Sequence, residues 1–285
     1  MANARVELRE DGLKWLVVTN GWSRALTDLV DSGKVDGVEL NSAKGSWGDS
    51  LNFLEHIPEL RHLVLIDLAA KDVGSIQGLS RLETLMLSAY ATSPLDFGHF
   101  PNLKTAFIEW RRSYRNLYAC IGLEDLYLNR YSERSLLVVK PMSQMVTLRV
   151  GDSRTLSTLD GITDLARLQT IGLYGLPRLR NLEHLPALAG SLEVVELNQC
   201  RYLSTVDPLA ELKQLRRLLL IDCGRVPSVR AVAECPNLRQ FFFYGDTNVV
   251  DGDLEFLRRM PLSDVAFKNR RHYSVRREEL AAWKP

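Results

Sequence analysis

The chain has 285 residues, 46% hydrophobic and 25% charged, which is ordinary for a globular protein and long enough to bury a sizeable core. A net charge of +1 gives no electrostatic case for nucleic acid or an anionic membrane as partner. No apolar run of about 18 residues exists to span a bilayer, and no His stands at zinc-like spacing beside any of the four cysteines.

From the N-terminus, MANARVELREDGLKW carries charges where an export signal needs an apolar core, so the chain is expected to stay in the cytoplasm. The stretch GWSRALTDLVDSGK predicts a helix with Ser23 as N-cap, Ala25, Leu26, Leu29 and Val30 as its apolar stripe, and Gly33 as its stop. From Leu13 onward one phrase, L-x-x-L-x-L, then recurs. Leu60/Leu63/Leu65, Leu82/Leu85/Leu87, Leu123/Leu126/Leu128 and Met145/Leu148/Val150 fit it. So do Leu168/Ile171/Leu173, Leu192/Val195/Leu197, Leu215/Leu218/Leu220, Leu238/Phe241/Phe243 and Leu262/Val265/Phe267, with looser copies at Leu13, Val35 and Leu103. Twelve starts between 13 and 262 give a mean period of about 22.6 residues.

The fourth and sixth positions of the phrase alternate, which predicts one inward face of a short strand. A second apolar set follows at three-residue spacing, such as Leu51, Leu54 and Ile57 or Leu179, Leu182 and Leu185; that spacing suits a short helical or 3-10 segment behind the strand. Pro58, Pro101 and Pro236 each stand two residues before the next leucine and end that segment. One unit cannot bury both sets alone, so neighbours must stack. Residues 1–34 read as an N-terminal cap with a degenerate repeat and a helix, 35–261 as repeats, and 262–285 as the last strand with a C-terminal cap, all in one domain.

The chain resembles the leucine-rich repeat family in its short-repeat form, like the internalins and related bacterial proteins. The resemblance covers nearly all of the sequence and implies a curved, right-handed α/β solenoid. A parallel sheet lines its concave side, and short helical, 3-10 or irregular segments line its convex side. Many family members place Asn at the ninth position of the repeat, where it bonds neighbouring backbone; here that position holds Leu68, Tyr90, Arg111, Tyr131, Ser153, Leu176, Cys200, Cys223 and Asp246. Cys200 and Cys223 are therefore expected to be neighbouring core thiols in a reducing compartment, and their spacing would also permit a bridge.

No phosphate-binding, metalloprotease or nucleophile-elbow motif is present. His56 and His184 recur at equivalent convex positions, and His62 projects from a strand with no nucleophile beside it. In DGDLEFL, Asp251 or Asp253 reads as a helix N-cap rather than a calcium ligand, and KNRRHYSVRR reads as a solvated cap. No metal and no cofactor is expected.

The third, fifth and seventh repeat positions point to the concave face. Aromatics there are Trp15, Phe107, Tyr127, Tyr174, Phe242 and Tyr244, roughly 17% of such positions against 8% in the whole chain, where an ordinary wet surface should be poorer than average. With Glu109, Trp110, Asn129, Arg130, Arg149 and Asp152 as rim and polar partners, Phe107, Tyr127, Tyr174, Phe242 and Tyr244 form the candidate partner-binding surface. The expectation is a monomeric, non-catalytic protein-binding module, of inhibitor or immunity type or a duller scaffold. The competing reading is an enzyme or small-ligand site around Phe107, Tyr127 and Arg149.

Overall fold

The computed structural model describes residues 3–280. They divide into two compact units, Met1–Asn129 and Arg130–Pro285.

In the first unit, β1 (Ala4–Leu8) runs antiparallel to β2 (Lys14–Val18), with Ala4 opposite Val18 and Leu8 opposite Lys14. The helix α1 (Arg24–Asp31) follows. The sheet continues from β2 in parallel through β3 (Gly37–Asn41), β4 (His62–Asp67), β5 (Thr84–Ala89), β6 (Thr105–Glu109) and β7 (Asp125–Asn129). Each parallel strand opens one or two residues after the leucine that predicts it. The inward pairs Leu63/Leu65, Leu85/Leu87 and Leu126/Leu128 are almost completely buried, each leucine contributing about 1.5–3 kcal/mol relative to an exposed one.

Behind the strands, the amide of every third apolar residue donates to the carbonyl three residues earlier. Leu54 bonds Leu51, Ile57 bonds Leu54 and Leu60 bonds Ile57, at 2.9, 3.1 and 3.1 Å. Such 3-10 geometry eclipses residues i and i+3, so the whole series turns one apolar edge inward and delivers the chain to the next strand. The cap helix bears out its stop at Gly33, with φ 66°. Its start differs: Ser23 has extended backbone but its side chain caps nothing, and Trp22 instead donates from its indole to Thr27 Oγ1 at 3.0 Å. Leu26 and Val30 are buried, whereas Ala25 is exposed.

The second unit repeats the scheme in parallel through β8 (Thr147–Gly151), β9 (Thr170–Tyr174), β10 (Val194–Asn198), β11 (Arg217–Ile221), β12 (Gln240–Tyr244) and β13 (Asp264–Phe267). The residue after each of β8 to β12 has positive φ: Asp152, Gln199 and Asp222 at 50–55°, Gly175 and Gly245 at 64° and 71°. This bend aims its N–H sideways, so Asp152, Gly175, Gln199 and Asp222 each donate to the last carbonyl of the next strand, at 2.8–3.2 Å.

The expected core thiols are there. Cys200, Cys223, Cys120 and Cys235 are all free and buried. At the ninth position, the Cys200 and Cys223 thiols donate to the carbonyls of Leu173 and Leu197 at 3.4 and 3.3 Å. Thr247, one position later, does the same to Leu220 at 2.8 Å. Cys120 and Cys235 instead occupy an apolar place in the 3-10 series, three residues before Leu123 and Leu238.

The C-terminal stretch expected to be a solvated cap is more embedded than that. Phe243 and Phe267 stack at 4.6 Å, Tyr273 meets Phe267 edge-on at 6.0 Å, and its hydroxyl accepts from the Val249 amide at 3.0 Å. Of Arg270, Arg271, Arg276 and Arg277, only Arg271 and Arg276 are exposed. Asp251 and Asp253 hold turn amides, those of Asp253 and Glu255 at 3.2 and 3.4 Å, and the 3-10 segment Glu255–Arg259 begins after Leu254. Residues 281–285, the end of the expected cap, lie outside the described residues.

Candidate functional site: the outward face of the sheets

On the first unit, fifth-position side chains stand side by side on adjacent strands: Val64 beside Met86, Met86 beside Phe107, Phe107 beside Tyr127. Val64 is buried, and Met86, Phe107 and Tyr127 are half-buried. The Phe107 and Tyr127 rings meet edge-on, with centroids 6.3 Å apart at 76°, an arrangement that aromatic quadrupoles favour. The sequence reading missed Met86, because it counted only aromatics; its flexible, polarizable thioether makes the row adaptable.

The polar neighbours are organised by hydrogen bonds. Tyr127 donates to Asn129 Oδ1 at 3.4 Å, Asn129 Nδ2 donates to Glu109 Oε2 at 2.6 Å, and Arg111 lies 3.5 Å from Glu109 Oε1. Arg111 is held in turn over the Tyr90 ring at 4.4 Å and donates to the Ala89 carbonyl at 3.1 Å. Glu109, expected as a polar partner, and Trp110, expected at the rim, are 7% and 8% exposed. Trp110 packs edge-on against buried Tyr114 at 6.3 Å. Both lie beneath the surface, and the Trp110 amide carries the backbone ladder on to the Asn129 carbonyl at 2.8 Å. Burial also raises the Tyr114 hydroxyl to about 12.

His62 shares this face. Its Nδ1 lies 3.0 Å from Thr84 Oγ1, and burial lowers its pKa against the opposing pull of Glu83. Trp15 is not an anchor at all. It is 3% exposed and lies flat across Gly37, where a Cβ would stand 2.9 Å from the ring, with the Arg9 guanidinium 4.2 Å above it. Arg9 and Lys44 both pair with buried Glu39, the latter at 2.9 Å, and close this end of the face.

The second unit carries the remaining candidates. Arg149 stands beside Gly172 in register. The Tyr174 ring lies over Gly172, where a Cβ would be 2.3 Å from its hydroxyl oxygen, and that hydroxyl donates to Glu196 Oε2 at 2.5 Å. Tyr174 is thus laid along the sheet. Further on, Leu219, Phe242 and Ala266 stand side by side, as do Ile221 and Tyr244. Tyr244 is 42% exposed and Phe242 half-buried; Leu219, which is buried, Ile221 and Ala266 are the members of this patch that the sequence reading missed. At the ends of the strands, a cavity of about 770 Å³ gathers Arg130, Arg154 and Arg201 with Ser132, Asp152 and Gln199. Arg130 holds its place there with φ 54°, a conformation uncommon outside glycine, Asn and Asp.

Repeats of this period, each a strand backed by a 3-10 relay, define a leucine-rich repeat fold. Solved structures agree. The chain is similar to an internalin from Listeria monocytogenes, at 15% identity and a TM-score of 0.61, covering 90% of this chain and 87% of that one. It is also similar to the leucine-rich repeat domain of the type III effector XopL, at 21% identity and a TM-score of 0.55, covering 77% and 81%. No family model matches the sequence, and no curated protein is significantly similar to it. The fold is that of the short-repeat, internalin-like leucine-rich proteins. Among the described residues no helix is long and apolar enough to cross a membrane, and no group of three or more His, Cys, Asp and Glu is placed to hold a metal ion.

Proposed function

We propose that the chain is a protein-binding module with no catalytic activity of its own, which holds a partner protein against the outward face of its sheets. The observation that carries this reading is the row of half-buried Met86, Phe107 and Tyr127, flanked by the hydrogen-bonded set Asn129, Glu109 and Arg111. Apolar and aromatic anchors beside positioned polar groups are what protein hot spots are made of. Phe242 and Tyr244 supply a second apolar patch, and Arg130, Arg149 and Asp152 charged contacts, on the other unit. The finer reading is an inhibitor or immunity-type protein acting in the cytoplasm; the four free thiols suit a reducing compartment. His62 Nδ1 and the Thr84 hydroxyl, 3.0 Å apart, form a cross-strand hydrogen bond on this face.

The test is capture of partner proteins from lysate of the native cell on the immobilised chain, followed by titration of the captured protein. Phe107→Ala and Tyr127→Ala should weaken its binding at least about tenfold, while His56→Ala in the 3-10 segment Asn52–His56 should not change it. Equal retention by all three variants would show that the partner binds elsewhere.

A further inference from the structure

The first strand has an open edge with an unusual property: it is complementary to itself. β1 pairs only with β2, and among the described residues no strand pairs with its other edge. The Thr19 amide bonds the Asn3 carbonyl at 2.9 Å and the Arg9 amide bonds the Leu13 carbonyl at 3.0 Å. In an antiparallel ladder, hydrogen-bonded pairs recur at every second residue. Asn3, Arg5, Glu7 and Arg9 therefore turn their backbone groups toward β2, and Ala4, Val6 and Leu8 turn theirs outward.

The side chains divide the same way. Arg5 and Glu7 share one face and pair at 2.6 Å. Val6 and Leu8 share the face of core residues Leu16 and Val18, yet are 50% and 71% exposed. Natural edge strands usually carry a proline, a bulge or an inward charge that prevents pairing; residues Ala4–Leu8 have none of these.

We infer that β1 joins β1 of a second copy in antiparallel pairing about a two-fold axis through Val6. This register places Val6 opposite Val6 and Ala4 opposite Leu8 of the other copy, all with outward backbone groups, so each pair forms two hydrogen bonds. It also sets Arg5 opposite Glu7 of the other copy at a non-hydrogen-bonded pair, where side chains approach most closely. The two adjacent registers that preserve the backbone bonding fail on charge: one places Arg5 against Arg5, the other Glu7 against Glu7. The exposed Val6 and Leu8 meet Val6 and Ala4 across the joint and gain cover. The contact is isologous, as a closed dimer requires, and leaves the outward face of the repeats to its partner. The proposed dimer differs from the monomer expected from sequence.

Sedimentation velocity of the full chain from about 1 µM to about 1 mM tests this, across the range of a modest affinity. The chain should dimerise reversibly. Val6→Pro removes an outward N–H without touching the β2 ladder and should leave a monomer whose melting temperature equals that of the unmodified chain at concentrations too low for dimer. Arg5→Glu and Glu7→Arg should each weaken dimerisation at least about tenfold by opposing like charges. An equimolar mixture of those two variants restores opposite charges at both places and should form a heterodimer. A chain that stays monomeric throughout overturns the inference and leaves the edge to a strand of another protein. A dimer that ignores Val6→Pro and both charge variants overturns it equally.

Discussion

Leu126 and Tyr127 are adjacent on β7 and point to opposite faces, so one pair of substitutions separates core from the proposed binding surface. Leu126 is wholly buried, and Leu126→Ala should cost about 2–5 kcal/mol in lost transfer energy and cavity formation. Tyr127→Ala loses its edge-on contact with Phe107, about 0.5–1.5 kcal/mol. It also loses a long, 3.4 Å bond to Asn129, which belongs at the low end of the roughly 0.5–1.5 kcal/mol scale. Its folding cost should therefore be about 1–2 kcal/mol, well below that of its neighbour.

Urea unfolding followed by circular dichroism reads the difference, provided the slope with denaturant is the same in both variants. Binding of the captured partner should rank them in reverse: Tyr127→Ala loses at least a decade, and Leu126→Ala, under conditions where it remains folded, loses little. A Tyr127→Ala protein as unstable as Leu126→Ala would show the ring to be core. One that binds normally would remove it from the interface.

Gly161 has φ 110°, and a Cβ there would stand 2.3 Å from the Leu136 carbonyl oxygen; Gly161→Ala should cost about 3 kcal/mol or more in strain and backbone displacement, while Gly190→Ala, with open space around it, should be neutral or slightly stabilising in the same urea titration. Cys200 and Cys223 should resist a thiol label in the folded protein, and a reducing agent should leave the melting temperature unchanged, because burial raises both thiols to about 12. Above about pH 9 the unfolded thiols ionise while the folded ones stay protonated, so each costs stability at about 1.4 kcal/mol per pH unit until about pH 12; Cys200→Ala should flatten that alkaline decline, and an unchanged slope would show that the thiol does not drive it. His62, kept neutral by burial, contributes stability in full above about pH 6.5 that is lost as the pH falls, since the unfolded imidazole then takes up the proton first; His62→Gln should make the acid limb of a pH-dependent melt shallower.

The scaffold was readable because two periods coexist in one repeat. Alternation at Leu126 and Leu128 specifies a strand, and three-residue spacing at Leu51, Leu54 and Ile57 specifies the relay behind it; neither depends on distant context. The strand β1 was not readable, since ARVEL lies outside the phrase and its partner strand runs the other way. The positive-φ column was hidden for another reason. Glycine announces such a bend, but Arg130, Asp152, Gln199 and Asp222 do not, and the backbone of the next strand imposes it on them.

The face itself was legible in position but not in posture. Period two assigns Trp15 and Tyr174 outward positions correctly, and the count of aromatics follows from that. A side chain pointing outward can still lie down, and what permits it is an empty place beside it. Gly37 faces Trp15 on the adjacent strand, and Gly172 precedes Tyr174 by two residues on the same face. In both cases the ring fills the missing side chain's volume and is lost to a partner. Phe107 is bounded by Met86 and Tyr127, and Phe242 by Leu219 and Ala266, so their rings have no such vacancy to fall into. The glycines on the outward face were in the sequence all along, and they separate the rings that cover the sheet from those that stand above it.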